Sequence, residues 1–279
     1  MTLVTICLPV YNGAEYLDSA LESLSGQTFD DMRIIISDNA STDATPEIIA
    51  SWKTRDSRIT SHRQSENIGA LGNYNWVLQQ ADSPWVMFAS HDDWWSANYV
   101  EELYKAATAS PGTSLVAPMM VLIRPDGTHD PRPFYDRINK LQGLTRVRRS
   151  LLRVHSGCYY GLYDRQALIK VWNASKRFKY AWGGDFIVLL PFLLSGSMTG
   201  SNAAVFYKQE TQESAINHKP KTLAVQFDLY RSFLKVSLQI LWEAPLSSSE
   251  KLSLLPLMLL YTSRHGWKLR RLIRRAIFC

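Results

Sequence analysis

Two acidic clusters follow directly after short apolar segments, and this arrangement constrains the fold more than any other feature of the sequence. Asp38 ends the segment 32–37, and Asp92 and Asp93 end the segment 85–90. Short β-branched or aromatic segments that stop at polar residues are typical of buried strands in an α/β sheet. Ligands of such sheets bind beyond the carboxyl ends of the strands. The sequence therefore predicts several carboxylates at one crevice, and because carboxylates repel one another we expect a divalent cation among them.

Predicted strands and helices alternate through the first 110 residues, which indicates a mainly parallel central sheet flanked by helices. The strands are predicted at 3–8, 33–37, 59–62 and 85–89, and the helices at 15–25, from 45 onward, at 67–80 and at 97–109. Further strands are predicted at 114–123, 158–163 and 198–209, a loop at 124–141, and helices at 184–194, 220–242 and 249–278. We therefore expect an α/β domain over residues 1–215 that carries the site, and a C-terminal helical region over residues 216–279.

The basic residues are concentrated near the C-terminal end. The chain has 279 residues and a net charge of +6, and the seven Lys and Arg residues after Glu250 leave residues 1–250 with a net charge of −1. A nearly neutral body argues against a nucleic-acid-binding face. Apolar residues of the tail recur with helical spacing at Leu269, Leu272, Ile273, Ala276 and Ile277. This spacing predicts a basic amphipathic helix at the C-terminal end. The helix either lies on an anionic membrane or packs on the rest of the protein.

The cysteines and the apolar segments bear on location. Cys7, Cys158 and Cys279 are few and far apart, so neither a disulfide framework nor a Cys/His metal site is expected. Met1 leads directly into a predicted strand, which indicates no signal peptide. The longest apolar runs, 186–194 and 252–261, each contain a proline and are shorter than the ~20 residues that a membrane span needs. We expect a cytoplasmic protein that can bind peripherally to the cytoplasmic face of the membrane through residues 264–279.

The turn after the first predicted strand offers groups that suit a nucleotide. Pro9 ends the strand, Tyr11 and Asn12 follow it, and Glu15 opens the next helix. Free backbone N–H groups and an aromatic ring at a sheet edge suit a phosphate or a nucleobase. An ordinary strand-to-helix turn explains the same residues, so the turn alone does not decide.

Asp38 is a second candidate, because it ends a strand and a small polar loop follows it at 39–43. Its carboxylate could accept hydrogen bonds from a base N–H or a ribose hydroxyl. Asn, Ser, Thr and Asp also favour caps and turns, so this segment, which includes Ser41, fits a capped loop equally well.

His91, Asp92 and Asp93 form a third candidate group, directly after the fourth predicted strand. Adjacent acids at this position are costly unless they are hydrated, hydrogen-bonded or metal-bound. Mg²⁺ and Mn²⁺ take oxygen ligands, typically one or two carboxylates together with substrate phosphates. A hydrated helix N-terminus would also favour acids, but the position at a strand end favours a metal. His91 fits a ligand, a base contact or a packing residue.

Asp185 precedes the apolar segment 186–194 and is the fourth candidate. A partly desolvated carboxylate has a raised pKa and is a better general base. An N-cap aspartate is the alternative, and the two roles are compatible because a cap can also face a site.

Taken together and in order, these segments resemble the family-2 glycosyltransferases, which have the A-type nucleotide-sugar transferase fold. The resemblance covers residues 2–210 and rests on five matching segments, which are 8–12, 37–43, 67–69, 91–93 and 184–185. It implies an inverting transferase that moves a sugar from a nucleoside-diphosphate sugar to a hydroxyl of a glycan or lipid-linked acceptor, in cell-surface polysaccharide synthesis. Residues 1–215 would then be the catalytic domain, and the cofactor would be Mn²⁺ or Mg²⁺.

The resemblance also implies a role for each matching residue. The nucleotide pocket would be formed by Pro9, Tyr11, Asn12, Glu15, Asp38, Ser41, Asn67, Gly69 and Asp92. Asp92 would also bind the metal, Asp93 and His91 would lie beside the sugar or metal, and Asp185 would be the catalytic base. Two positions depart from the family pattern: Ser90 replaces the first acid of the metal motif, and Gly184 replaces the usual Glu before the catalytic Asp.

Other functions are less consistent with the sequence. An aspartyl phosphatase needs a nucleophilic Asp after the first strand, and residues 3–12 contain none. A nucleotidyltransferase normally needs a Gly-rich basic loop at that point, and a Rossmann dehydrogenase needs Gly-x-Gly-x-x-Gly. A non-catalytic nucleotide-sugar or glycan binder of the same fold remains the alternative, because of Ser90 and Gly184.

Overall fold

The computed structural model describes residues 2–133, 136–210 and 220–267. Its strands are β1 (Val4–Val10), β2 (Met32–Asp38), β3 (Ile59–Arg63), β4 (Trp85–Phe88), β5 (Trp94–Trp95), β6 (Leu115–Ile123), β7 (His129–Arg132), β8 (Leu162–Asp164) and β9 (Met198–Gln209). Its helices are α1 (Leu17–Ser25), α2 (Thr45–Arg55), α3 (Gly69–Gln79), α4 (Tyr99–Ala109), α5 (Asp136–Asn139), α6 (Gly143–Arg153), α7 (Arg165–Ser175), α8 (Gly184–Ser195), α9 (Leu223–Glu243) and α10 (Ser248–Tyr261).

The strands form one sheet in the order β3-β2-β1-β4-β8-β6-β9-β5, with β7 paired to β6. β1 pairs in parallel with β2 and β4, and β6 pairs in parallel with β9. β8 is antiparallel to both β4 and β6, so these two strands run in the same direction. The carboxyl ends of β1, β2, β4 and β9 therefore reach the same edge of the sheet, as the alternating sequence pattern predicts for the first three.

Alternating side chains of the strands form a separate core on each face of the sheet. Ile6 and Leu8 of β1 pack with α1, α2 and α4, whereas Cys7 between them packs on the opposite face. The core on that opposite face also contains α3 and α6 to α10. A strand with apolar residues on both faces reads as a continuous apolar run, which explains why the sequence shows runs rather than alternation.

The C-terminal helices share the core of the α/β body. α9 packs against α8, and α10 packs against α6 and α9. Phe233 of α9 is fully buried, and its ring lies 5.6 Å from that of Phe178 and 6.0 Å from that of Tyr261. No helix in the described ranges is long and apolar enough to cross a membrane.

Three segments differ from their predicted structure. The predicted loop 124–141 contains β7 and α5, because β7 pairs antiparallel with the end of β6. The predicted strand 158–163 is a 3-10 turn, Ser156–Tyr160, followed by the short strand β8. The predicted helix 249–278 ends at Tyr261 and passes into a π-helical turn, Thr262–Gly266. The amphipathic pattern of residues 269–277 lies outside the described residues.

Candidate active site

A cleft of about 2110 Å³ opens at the carboxyl edge of the sheet. Of the residues predicted to form the site, those lining it are Pro9, Tyr11, Asn12, Glu15, Asn67, Gly69, His91, Asp92 and Asp185. The structure thus brings together segments that are more than 170 residues apart in the sequence. Asp38, Ser41 and Asp93 are buried, with 2%, 1% and 1% of their surface exposed.

Hydrogen bonds join the turn after β1 to the loop after β2. The backbone N–H of Asn12 donates to Ser41 Oγ at 2.9 Å, and the N–H of Thr42 donates to Asn12 Oδ1 at 2.8 Å. Asn12 has a φ of +49°, a conformation that asparagine tolerates better than most residues. Tyr11, in contrast, is 43% exposed at the mouth of the cleft. Asn12 and Ser41 therefore hold the loops in place, whereas the Tyr11 ring is accessible to a ligand.

The Asp38 carboxylate is held by two groups of the protein. It accepts a hydrogen bond from the N–H of Ser41 at 3.0 Å and another from Arg63 Nη1 at 3.1 Å. Arg63 ends β3 beside Asp38 and also donates to Ser41 O at 2.8 Å. The sequence reasoning did not identify Arg63, although a cation at the end of the adjacent strand was visible. Contact between Asp38 and a nucleobase stays a prediction.

Asn67 and Gly69 lie at the N-terminus of α3, where two asparagines order the backbone. Asn39 Nδ2 donates to Asn67 Oδ1 at 2.9 Å, and the same oxygen accepts the N–H of Gly69 at 2.9 Å. Asn39 Oδ1 accepts the N–H of Ile68 at 2.9 Å. Gly69 has a φ of +75°, which favours glycine. The loop after β2 thus positions the helix end that lines the cleft.

The segment after β4 presents Asp92 to the cleft and packs His91 against the first loop. The hydroxyl of Ser90 donates a hydrogen bond to Asp92 Oδ1. A Cβ atom at Gly13 would lie 2.7 Å from His91 Cδ2, so the imidazole fills the space that glycine leaves. Burial lowers the pKa of His91. His91 thus packs against the turn after β1 and also lines the cleft, and its contact with a sugar or metal stays a prediction.

Asp93 joins the start of β5 to the end of β9. Its Oδ1 accepts the N–H of Gln209 at 3.0 Å, and its Oδ2 lies 3.6 Å from Lys208 Nζ. Burial raises the pKa of Asp93 to about 7, and the nearby Lys208 ammonium partly opposes that rise. Contact of Asp93 with a sugar or metal stays a prediction.

Asp185 lies in the first turn of α8 and lines the cleft. Gly183 precedes this helix with a φ of +79°, and a Cβ atom there would lie 3.0 Å from His265 O. Burial raises the pKa of Asp185 to about 6, while the N–H of Phe186 and the charge of Lys208 act in the opposite direction. A carboxylate with this pKa is ionised at neutral pH and is a stronger base than an ordinary Asp.

The π-helical turn after α10 forms one wall beside Asp185. Trp182 Nε1 donates to Gly266 O at 3.0 Å, and Tyr261 OH donates to Phe186 O at 2.7 Å. The ring of His265 stacks on that of Phe186 with centroids 3.8 Å apart. These contacts connect the C-terminal region to the helix that carries the candidate base. No local pattern in the sequence predicted them.

Lys208 is a further cleft residue that the sequence reasoning did not identify. Ala204 and Phe206 are fully buried, and alternation along β9 places Lys208 on the same face. A lysine at an inward position near the carboxyl end of a strand was the signal that could have identified it. Burial acts to lower the pKa of Lys208, but Asp93, Asp92 and Asp185 raise it by a larger amount.

The described residues hold no group of three or more His, Cys, Asp or Glu side chains that could bind a metal by themselves. Asp92 alone still fits a divalent ion whose other ligands are phosphate oxygens and water. The bond from Ser90 orients this carboxylate without adding a negative charge. The site therefore suits an ion that arrives with a phosphorylated ligand.

Comparison with known proteins agrees with this geometry. The family described as "Glycosyl transferase family 2" matches residues 5–172. GlyA of Streptococcus pneumoniae, a glycosyltransferase, is 36% identical over 102 residues, which are 37% of this chain and 14% of that protein. WfaP of Escherichia coli, a UDP-Glc:alpha-D-GlcNAc-diphosphoundecaprenol beta-1,3-glucosyltransferase, is 37% identical over 95 residues, which are 34% of this chain and 37% of that protein.

Among solved structures, TarS residues 1–349 of S. aureus in complex with UDP-GlcNAc superposes with a TM-score of 0.74 and 16% identity. The match covers 95% of this chain and 74% of that one, and it confirms the predicted fold. The alignments with GlyA and WfaP span less than half of this chain and less than half of each relative. The family match covers more than half of this chain, and the chain belongs to glycosyl transferase family 2.

Proposed function

We propose that this chain is an inverting glycosyltransferase that moves a sugar from a nucleoside-diphosphate sugar to an acceptor hydroxyl. The observation that carries the proposal is the placement of Asp185, whose pKa is raised to about 6 by burial, in the same cleft as Asp92 and the turn after β1. The family membership and the complex of TarS with UDP-GlcNAc support a nucleotide-sugar donor. The name of WfaP supports a lipid-linked acceptor in glycan synthesis.

The transfer needs one base and one region that binds the leaving group. Asp185 accepts the acceptor's hydroxyl proton as that oxygen bonds to the anomeric carbon. The bond between the anomeric carbon and the diphosphate breaks on the opposite side, and its electron pair stays on the diphosphate. Because the attack and the departure are on opposite faces, the configuration inverts. The open half of the cleft beside Trp182 and His265 would take the acceptor.

A nucleotide donor would occupy the other half of the cleft, near Tyr11 and the N-terminus of α3. The N–H groups of Ile68 and Gly69 already donate to Asn39 and Asn67, so phosphate oxygens would use the N–H groups that follow in the first turn of α3. Asp92 would hold a Mn²⁺ or Mg²⁺ ion together with the diphosphate, and the bound ion would neutralise charge on the leaving group. Asp38 and Arg63 would lie beneath the base.

A screen for donors tests the proposal directly. Thermal shift with nucleoside diphosphates and Mn²⁺ identifies the nucleotide, because a ligand of the native state raises the melting temperature. Release of nucleoside diphosphate from the matching nucleotide sugars then reports turnover. Binding without any release, across glycan and lipid-linked acceptors, would favour the non-catalytic binder instead.

The Asp92→Asn variant tests the metal assignment. Asn keeps the shape of the side chain but removes the charge that a divalent ion needs, so we expect at least roughly tenfold weaker binding of the nucleoside diphosphate when Mn²⁺ is present. Binding without Mn²⁺ should be unchanged or tighter, because the variant loses a charge that repels the diphosphate. Calorimetry with and without the ion measures both, and Glu47→Gln on α2 is the control for loss of an exposed acid. Equal loss under both conditions would contradict metal binding by Asp92.

We also propose that the basic tail binds anionic membranes and so brings the enzyme to a lipid-linked acceptor. Removal of residues 268–279 takes away five of the seven Lys and Arg residues after Glu250. It leaves His265 and Trp267 beside the cleft, so the site should remain intact. We expect the truncated chain to lose most of its binding to vesicles rich in anionic lipid while keeping nucleotide affinity. Flotation with anionic and neutral vesicles measures this, and undiminished binding would refute the membrane role.

A further inference from the structure

We propose that Lys208 binds the diphosphate of the donor and stabilises its charge as it leaves. The proposal rests on the proposed transferase function and adds a residue that lies outside the matched family region, residues 5–172. It also gives a role to a lysine whose side chain is only 28% exposed and that lines the cleft.

Two aromatic rings and the strand direction position the ammonium group. Tyr160 stacks on Phe206 with ring centroids 4.6 Å apart, and Lys208 Nζ lies 5.5 Å from the centroid of the same tyrosine ring. The alternation of β9 places Phe206 and Lys208 on one face. The aliphatic stem of Lys208 is thereby packed, and its charged end is presented to the cleft rather than to bulk water.

The charges around Lys208 explain why a cation is needed there. Lys208 Nζ lies 3.6 Å from Asp93 Oδ2, and Asp92 and Asp185 line the same cleft as this ammonium group. A donor diphosphate adds further negative charge, and without cations it would be repelled. Lys208 offsets this repulsion from a fixed position. Ser90 replaces an acid that the family resemblance leads one to expect, which reduces the negative charge further.

The contact with Asp93 leaves the N–H donors of Lys208 available to a ligand. The Nζ–Oδ2 distance of 3.6 Å is longer than a hydrogen bond, and within the described part of the structure Asp93 Oδ2 has no hydrogen-bond partner. Asp93 already holds the end of β9 through the N–H of Gln209. The lysine is therefore not required to hold the strand, and its three N–H donors can turn to phosphate oxygens.

Lys208 neither donates nor accepts a proton in the transfer step. When the bond between the sugar and the diphosphate breaks, the electron pair stays on the terminal phosphate. The Lys208 ammonium donates a hydrogen bond to a phosphate oxygen, and this charge-assisted bond strengthens as negative charge accumulates.

Titration of Lys208 variants with UDP, GDP and dTDP, and with the matching nucleosides, tests the proposal. We expect Lys208→Met to bind the preferred nucleoside diphosphate at least tenfold more weakly while binding the nucleoside as the wild type does. Lys208→Arg should recover part of the loss, and Lys208→Gln gives a second neutral variant if the Met variant does not fold. Lys105→Met, an exposed lysine of α4, is the control for loss of charge.

Separate measurements on Lys208→Met distinguish phosphate binding from a structural role. If Lys208 only holds Asp93, the Met variant should have a lower melting temperature and should lose similar affinity for the nucleoside and for the nucleoside diphosphate. The proposal expects the loss to be confined to the nucleoside diphosphate, with partial recovery in Lys208→Arg. If wild type and Lys208→Met bind nucleoside diphosphate equally well, the role of Lys208 is overturned and the proposed function is not. Failure of the wild type to bind any nucleoside diphosphate would overturn it together with the proposed function.

Discussion

We expect the Asp185→Asn variant to lose at least ~100-fold in kcat while it binds nucleoside diphosphate at least as tightly as the wild type. Asn has the same shape as Asp but cannot accept the acceptor's proton. Asp185 lies at the start of α8 and its charge acts on Lys208, so a neutral side chain there removes repulsion of a diphosphate and no attractive contact. Steady-state transfer and calorimetric titration of the product nucleotide measure the two effects separately.

Gly184→Ala is the matched control for this variant. A Cβ atom at Gly184 would meet no atom of the described structure within 4 Å, so the change alters the same helical turn without a clash. We expect transfer by Gly184→Ala within a few fold of the wild type. Near-normal turnover by Asp185→Asn would exclude Asp185 as the base and would require another group to take the proton.

The pH dependence of transfer should follow the raised pKa of Asp185. The base must be ionised, so kcat/KM should rise with pH through about 6 and then level off, provided the acceptor does not itself titrate there. Stability should move in the opposite direction. The native state binds a proton at Asp185 more tightly than the unfolded state does, so this group costs stability as pH rises from about 4 to 6. Asp185→Asn should therefore be more stable than the wild type at pH 8, by no more than about 3 kcal/mol, with the difference vanishing near pH 4.

Phe233→Ala should cost about 3–5 kcal/mol of unfolding free energy, a large share of the 5–15 kcal/mol that native proteins have. The ring is fully buried and lies against two glycines, since Cβ atoms at Gly266 and Gly183 would be 2.8 Å and 3.1 Å from it. Its removal leaves a void between α9 and the turn before α8. We expect kcat to fall as well, because Gly183 directly precedes the turn that carries Asp185.

Urea denaturation followed by fluorescence measures the loss, and Phe227→Ala on the same helix is the control. Phe227 is 39% exposed, so its truncation should change stability by less than about 1 kcal/mol. If the C-terminal helices were an independent appendage, Phe233→Ala would unfold them in a separate early transition and leave transfer intact. That result would contradict the shared core of α8, α9 and α10.

The elements near the N-terminus were predictable because their information is local. β1, β2 and β4 are mainly apolar runs followed by polar residues, and the helices α1, α2 and α3 lie in the connections between them. The parallel arrangement follows from that alternation, which places Asp38 and Asp92 at one edge of the sheet. The segment 124–141 was mispredicted because β7 depends on pairing with β6, which outweighs a Pro-rich and polar composition.

The sequence by itself determined the parallel part of the sheet formed by β1, β2 and β4, its carboxyl edge, and the acids Asp92 and Asp185 that line the cleft there. Only the tertiary structure decided what surrounds those acids. Lys208 lies beside Asp93, which is 115 residues away in the sequence. The carbonyl oxygen of Gly266 accepts a hydrogen bond from the indole N–H of Trp182, which is 84 residues away. Alternation along β9 can place Lys208 on an inward face, but it does not identify the partner of that side chain. The packing of β9 and of the C-terminal helices decides which distant residues meet. The burial that raises the pKa of Asp185 arises from the same packing, so the residues next to Asp185 in the sequence do not predict the raised pKa.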